Sequence, residues 1–370
     1  MKKICIVTTS MGKGGVERFS AIFSQMLFKL GYNVHIVITK DEVNYEFSGK
    51  LFNLETQLGS SKSNFLKLSI LKSYFKEHNF DIIIDNRTRP SFFKEFIVYN
   101  YVFKSKKIIS IVHSYNLKQY LPSSVFLARI LYNQVKIVAV SKEIQQTLIT
   151  RYKFKDCGQI YNPANAKNIL EKANETVSID DNYILFYGRI EEHVKNLTLA
   201  LNAYKTSLLP KKGFKFYIIG DGIDVPLIVK IVKELKLESF VKHIPYLENP
   251  FPYVKKAFFT ILTSKHEGFP LVLIESLCCG TPVISVNCKS GPNEIIKNES
   301  NGLLVENHNV TVLANAFNQR PEGIYEWLNA FNRFVEDDSL YSHCKENTKA
   351  SIKQFSIENI AEEWAHLLTK

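Results

Sequence analysis

Long apolar runs are missing from this chain. None approaches the roughly 18 residues that a membrane-crossing helix needs. The amino-terminal MKKICIVTTSMGKGG holds two lysines but only a short apolar stretch, which suits a first buried strand better than a secretory signal. Cysteine is sparse and unpatterned. The six residues Cys5, Cys157, Cys278, Cys279, Cys288 and Cys344 show no paired metal spacing and fit free, mostly buried thiols of a reducing cytoplasm. Completed glycine fingerprints are also lacking. Gly12-Lys13-Gly14 has no Ser or Thr where a P-loop requires one, and GKGGVE lacks the last glycine of G-x-G-x-x-G, which disfavours an NAD-dependent dehydrogenase. No zinc-finger, RNA-recognition or helix-turn-helix signature accompanies the basic charge, so nucleic acid is not the expected partner.

What is present is ordinary globular composition, 45% hydrophobic and 22% charged, over 370 residues. That length suggests two domains, each with its own core. The charge is lopsided: residues 1–170 hold 25 Lys and Arg against 11 Asp and Glu, a balance of +14 within a chain total of +11, which leaves −3 for the remainder. A basic first half fits an anionic partner, either a membrane leaflet or a lipid-linked diphosphate, and also fits a merely solvated surface. Two stretches, Lys62–Lys76 and Phe92–Lys107, interleave aromatic and aliphatic residues with lysines. Both suit a membrane interface. Helices beside a sheet need an apolar face too, so burial is the expected explanation.

Ile4–Thr8 is an apolar run of the kind buried on both faces of a sheet. After TSMGKGG, Val16, Phe19, Ile22, Phe23, Met26, Leu27 and Leu30 recur at helical spacing, and Val34–Thr39 forms a second strand. Strand, glycine loop, helix and strand make a βαβ unit with a parallel sheet. Gly14-Gly15 lets backbone approach a phosphate or sugar, or simply makes a tight turn. Asp81–Asp85, Ile108–His113 and Ile137–Val140 are further strands, whose carboxyl ends should line the binding edge. His113 ends one of them, with its imidazole expected in the crevice, where it can donate to a substrate hydroxyl or phosphate near neutral pH. Asn86, Arg87 and Arg89 occupy the neighbouring edge.

A polar, irregular stretch from Tyr161 to about Asp181 looks like a linker. The pattern then restarts with strands at Tyr183–Tyr187, Lys215–Ile219, Val241–Ile244, Phe259–Leu262 and Pro282–Ser285, separated by helices. Within it, EGFPLVLIE places two carboxylates, Glu267 and Glu275, around a loop and a helix start. Glu275 should lie roughly 7–8 Å along the axis. Unsatisfied helix N–H groups between the acids form an anion site with a diol-binding carboxylate at either end, the outline of a nucleotide-sugar. A surface Glu beside a buried helix is the plain alternative.

YGRIEEHVKN, IGDG, SKHEGFPLVLIESLCCGTPVIS and SGPNEIIKNESNGLLVEN, in that order, resemble the retaining glycosyltransferases of GT-B architecture, and among them family 4. GKGGVERF, VAVSKEI and YNP extend the resemblance over nearly the whole chain. It implies an α/β fold of two doubly wound parallel-sheet, Rossmann-like domains facing across a cleft. These are an acceptor domain over residues 1–165, a donor domain over 166–350, and a terminal helix, 351–370, crossing back to the first domain.

The resemblance further implies that Arg189 and Lys195, six residues apart, grip the donor diphosphate and stabilise its departing charge without a metal or cofactor. Glu267 would hold the donor sugar beneath its reacting carbon and Glu275 the ribose diol. Gly268, Phe269, Pro270 and Leu271 would supply backbone contacts, Gly15 would approach the diphosphate from the first domain, and His113 would sit near the acceptor. Pro245-Tyr246 stands where these enzymes usually carry a glycine ahead of the base-binding loop, which brings Tyr246 to the donor. The implied enzyme moves a hexose or N-acetylhexosamine from a nucleotide diphosphate sugar, UDP-linked, to a glycan hydroxyl with retention. Its acceptor would be lipid-linked, such as an undecaprenyl-diphosphate glycan in lipopolysaccharide, capsule or glycoconjugate assembly. Its place would be peripheral, on the cytoplasmic face of an anionic membrane. A two-Rossmann nucleotide-sugar epimerase and a non-catalytic glycan- or nucleotide-binding protein are the alternatives.

Overall fold

The computed structural model describes residues 1–103, 105, 107–179, 181–306 and 323–369. Lys104 and Lys106 of the aromatic, basic stretch, and Asn307 at the end of the last motif, lie outside them. The chain divides into two compact units, Met1–Pro163 with Phe355–Lys370, and Ala164–Gln354.

The first unit is built on seven parallel strands: β1 (Lys3–Thr8), β2 (Asn33–Ile38), β3 (Lys50–Asn53), β4 (Ile82–Asp85), β5 (Lys107–Val112), β6 (Lys136–Ala139) and β7 (Cys157–Gln159). Their spatial order is β3-β2-β1-β4-β5-β6-β7. β1 pairs in register with β2 (Cys5 with His35) and with β4 (Cys5 with Ile83), so this central strand is buried on both faces. That is why ICIV reads as an unbroken apolar run instead of an alternating one. The helix Gly15–Lys29 buries Phe19, Phe23, Met26 and Leu27, spaced to share a face. The terminal helix Ile357–Thr369 is seated in this unit. Trp364 is buried with its ring centroid 4.6 Å from that of Phe23, and Lys2 and Lys107 donate to the carbonyls of Leu368 and Leu367 at 3.1 and 2.7 Å. Two ammonium groups thus meet the negative end of the helix dipole.

The second unit carries six parallel strands: β8 (Tyr183–Tyr187), β9 (Lys215–Ile219), β10 (Val241–Ile244), β11 (Thr260–Leu262), β12 (Val283–Val286) and β13 (Gly302–Val305). Their order is β10-β9-β8-β11-β12-β13. Pro282 stands just outside β12, although its carbonyl still accepts from the Thr260 amide at 3.1 Å. A core of Leu197, Phe216, Phe259, Trp327, Phe331 and Phe334 fills one side. The polar stretch expected as a linker is largely docked on this unit. Its helix Ala166–Ala173 is held where Asn249 donates to the Lys172 carbonyl at 2.9 Å, and Lys255 and Lys256 donate to Asn174 and to the Val177 carbonyl.

In both sheets the strand order, not the strand direction, reverses once, between β1 and β4 and between β8 and β11. At such a switch point the loops leaving the two central strands part and open a crevice at their carboxyl ends. In the second unit those loops are Gly188–Glu191 and Thr263–Pro270, which hold most of the motif residues.

The aromatic, basic stretches depart from the expected burial. Phe65 is 83% exposed and Phe93 79%, with Phe96, Ile97 and Tyr101 also open. Each of these helices covers the sheet with only one side, and apolar residues stand on the opposite side as well.

Candidate active site

After β8 the chain turns through Gly188 into a single helical turn, Glu192–Lys195. Gly188 (φ +143°) and Gly220 (φ +144°) lie side by side, and a Cβ on Gly220 would stand 1.9 Å from the Gly188 carbonyl oxygen. A Cβ on Gly222 would stand 2.0 Å from that of Ile190. IGDG is therefore the surface against which the YGRI loop is packed. Glu192 secures the turn from inside. Its amide donates to Asp224 at 2.7 Å, and its carboxylate accepts from the Leu197 and Thr198 amides at 2.7 and 3.1 Å. Burial pushes that carboxyl up, with those hydrogen bonds opposing it. The turn is also tied to the loop after β11, as Thr263 Oγ1 donates to the Lys195 carbonyl at 2.7 Å and the Lys265 amide to that of Val194 at 2.8 Å.

These ties deliver Lys195 to Glu267. Lys195 Nζ lies 2.7 Å from Glu267 Oε1, with side chains only 19% and 14% exposed. The backbone of Glu267 is fixed from the other side by its amide donating to the Lys289 carbonyl at 2.8 Å. Ser290 Oγ donates to the Gly268 carbonyl at 2.8 Å. Gly291 (φ +101°) closes against the same loop, where a Cβ would meet Pro270 Cδ at 2.7 Å. Gly268, Phe269 and Pro270 are buried, and the helix Leu271–Cys278 starts directly after them. Its N-cap, Pro270, offers no side-chain hydrogen bond to the first N–H groups. Glu275 is the fifth residue of that helix and 6% exposed, about 6 Å along the axis from Leu271. The helix is anchored to the switch-point strands because Tyr187 on β8 donates to the Val272 carbonyl at 2.6 Å, and Thr260 on β11 to Ser276 Oγ at 2.8 Å.

Of the candidate donor residues, the structure brings Lys195, Glu267 and Gly268–Leu271 together, with Glu275 on the helix that follows. Arg189 shares the loop, but its side chain is 60% exposed and pairs with Glu191 at 3.2 Å. Tyr246 follows the edge strand β10, two strands from β8, on the order of 10 Å away at normal strand spacing.

In the first unit, Gly15 opens the helix Gly15–Lys29, and among the described residues nothing beyond its own neighbours and helix backbone lies within 4 Å of where its Cβ would stand. His113 directly follows β5, at the carboxyl edge of the sheet. The ring is buried, 8% exposed, edge-on to Phe19 with centroids 4.8 Å apart. Burial, and then the Arg89 charge, lower its pKa to about 3. It is therefore a neutral imidazole near pH 7, a form that keeps one ring N–H as a donor. Arg87 and Arg89 are likewise internal. Arg87 forks onto Asp85 at 2.9 and 2.8 Å and reaches Glu95 at 2.8 Å. Arg89 donates to the carbonyls of Asp85 and Ile111, both at 2.9 Å. Burial would raise the Asp85 carboxyl, but the two guanidinium charges hold it below its ordinary range. Two cations and two anions balance here, so these arginines brace the ends of β4 and β5.

Two sequence families meet at the boundary between the units. Residues 13–167 match the family described as Glycosyltransferase Family 4, and residues 167–322 match Glycosyl transferases group 1. The chain is 30% identical, over 98% of each sequence, to the N-acetylgalactosamine-N,N'-diacetylbacillosaminyl-diphospho-undecaprenol 4-alpha-N-acetylgalactosaminyltransferase of Campylobacter jejuni. The chain belongs to the family 4 glycosyltransferases of GT-B fold. A second relative, the lipopolysaccharide 1,6-galactosyltransferase of Escherichia coli, is 27% identical over 59% of this chain and 56% of that one. Solved structures share the fold. Staphylococcus aureus TarM, crystallised with UDP among its ligands, superposes with a TM-score of 0.78 at 15% identity, each chain covered completely. Anabaena HepE in complex with UDP gives 0.76 at 17% identity with the same coverage.

In this glycosyltransferase the motif residues stand out in sequence, whereas their supports do not. Glu192, Asp224, Thr263, Tyr187 and Ser290 place Lys195, Glu267 and the helix start, yet each is a common residue in an unremarkable position. Only the close glycine pairs hinted at such packing.

Proposed function

We propose that this glycosyltransferase transfers a hexose or N-acetylhexosamine from a nucleotide diphosphate sugar, with UDP as the nucleotide, to a hydroxyl of a lipid-diphosphate-linked glycan. The anomeric configuration is retained. The carrying observation is the Lys195–Glu267 pair, 2.7 Å apart, beside a helix start that leads to Glu275. Lys195 and Arg189 meet the donor diphosphate. The first N–H groups of Leu271–Cys278 take its oxygens, where helix geometry favours an anion. Glu267 accepts hydrogen bonds from the sugar hydroxyls and Glu275 from the ribose diol. As the sugar–phosphate bond breaks, negative charge grows on the leaving oxygen and the fixed cations stabilise it more than they stabilise the ground state. That same oxygen helps to take the proton of the incoming hydroxyl on the face it leaves, so no enzymic nucleophile is assigned. The reading assigns no metal or cofactor.

The acceptor class is supported by the diphospho-undecaprenol named for the Campylobacter relative, and the nucleotide by the UDP bound in the structural neighbours. The proposed place of action is the cytoplasmic face of a membrane, and no helix among the described residues is long and apolar enough to cross one. A panel of nucleotide sugars, each incubated with and without a polyprenyl-diphosphate-linked glycan, tests the reaction. One UDP-sugar should be consumed with acceptor-dependent product of retained configuration. Epimerised sugar without acceptor, or binding with no turnover across the panel, would overturn it.

A further inference from the structure

The helix Phe92–Ile97, its one-turn continuation Val98–Val102 and the helix Val125–Tyr132 follow β4 and β5. β4, β5 and β6 are neighbours in that order, and right-handed crossovers put both connections on one side of the sheet. Their inner sides are packed, with Val98, Tyr99, Val102, Leu131 and Tyr132 buried. Their outer sides are apolar again. Phe93 is 79% exposed, Phe126 71%, Tyr101 57% and Ile130 49%, joined by Ile97 and Phe96. An open groove of about 700 Å³ runs between the two helices, lined by Phe96, Phe103, Phe126 and Ile130 among others. Single exposed hydrophobics are normal, but a cluster this large on one face marks a surface that meets something else.

Charge decides what that is. Residues 92–134 contain six Lys and Arg and a single acid, Glu95. Glu95 is buried and held by Arg87. Lys94, Lys118 and Arg129 are exposed, so no carboxylate of this segment balances them at the surface. Protruding aromatic rings between the cations of a segment with no surface acid match an anionic bilayer, where rings enter the headgroup region and ammonium and guanidinium groups meet lipid phosphates.

We propose that this face of the first unit docks on an anionic lipid bilayer, with Phe93 and Phe126 entering the interface and Lys94 and Arg129 against the headgroups. Docking deepens the proposed reaction on lipid-linked acceptors and rests on it for its purpose. Vesicle binding is nevertheless measured with no sugar present, so the two fail separately.

The experiment is co-sedimentation of the full chain with phosphatidylcholine vesicles carrying about 30% phosphatidylglycerol, and with phosphatidylcholine alone. The wild type should partition at least about tenfold better onto the anionic vesicles, with the preference shrinking as salt rises. Phe93→Ser/Phe126→Ser should lose at least about tenfold of the binding, and Lys94→Glu/Arg129→Glu the salt-dependent part. Both should keep the wild-type melting curve and donor hydrolysis. Wild type that stays in the supernatant, or variants that sediment like wild type, would overturn the proposal. So would a dimer abolished by the Phe substitutions in protein that ignores vesicles, which would give the face to a second copy of the chain. Loss of donor turnover with vesicle binding intact would sink the reaction and leave docking standing.

Discussion

Replacing Lys195 by Ala should cost far more in catalysis than in stability. Its ammonium is 2.7 Å from Glu267, in a site where each side chain keeps less than a fifth of its exposure. In the unliganded chain it neutralises a carboxylate that would otherwise repel an incoming diphosphate. Under the proposed donor geometry, removing it would take away an attraction to the phosphates and uncover that repulsion. At 4–6 Å and an effective dielectric constant near 20, one unit-charge interaction is worth roughly 3–4 kcal/mol. Rearranged water and ions will recover part of it, which leaves a loss of about 10²–10³-fold in kcat/KM. Folding should suffer less, by about 1–2 kcal/mol, because the pair is partly solvated. That is a fall in Tm of only a few degrees for a unit of this size.

The assay is initial-rate transfer alongside a thermal melt and calorimetric titration with UDP. Lys195→Ala/Glu267→Gln separates the two contributions. If uncovered repulsion dominates, the double variant regains UDP affinity over Lys195→Ala, while turnover stays low because the sugar contact has gone. A coupling energy near zero between the two positions would refute the pairing as a working element. A kcat/KM of Lys195→Ala within about threefold of wild type, in folded protein, would refute its place at the diphosphate.

Gly220→Ala should destabilise the second unit by several kcal/mol, roughly 2–4, because the added Cβ would lie 1.9 Å from backbone at Gly188 and the φ of +144° disfavours any side chain. An unchanged urea midpoint would show that the YGRI loop yields freely. His113 and His35 should both make stability fall with acid. The unfolded chain binds a proton near pH 6.5, whereas the folded one refuses it until about pH 3 and pH 4 respectively, so stability present above pH 6.5 is lost progressively as pH drops through that window. His113→Gln should flatten that slope in denaturation series between pH 7 and pH 4.5. A His113 imidazole titrating near 6.5 by NMR would disprove the burial argument.

Much of the scaffold was legible along the chain. Strands buried on both faces, such as β1, β8 and β9, announce themselves as unbroken apolar runs, and the glycines after them mark where the chain turns. β3, β7 and β13 were not legible: they are three or four residues long, and KLFN, CGQ and GLLV become strands only when a neighbour offers a ladder. The fate of Arg87 and Arg89 was equally hidden. Two arginines at a strand's end look like ligands for phosphate until Asp85 and Glu95 are found beside them.

By itself the sequence determined the kinds of group available: two carboxylates around a helix start, a lysine and an arginine in one loop, and a positive balance in the first half. These are matters of residue type and spacing along one chain, and a single switch-point loop or helix turn expresses them. Tertiary structure alone decided which groups meet and what charge they carry there. Lys195 reaches Glu267 across 72 positions because β8 and β11 lie side by side. His113 is kept neutral by burial, packed against a phenylalanine 94 positions away, and by the charge of Arg89. The rings of Phe93 and Phe126 stay outside because the sheet has only one side to offer each helix. Contact and solvation are properties of neighbours in space, and the order of residues leaves those neighbours open.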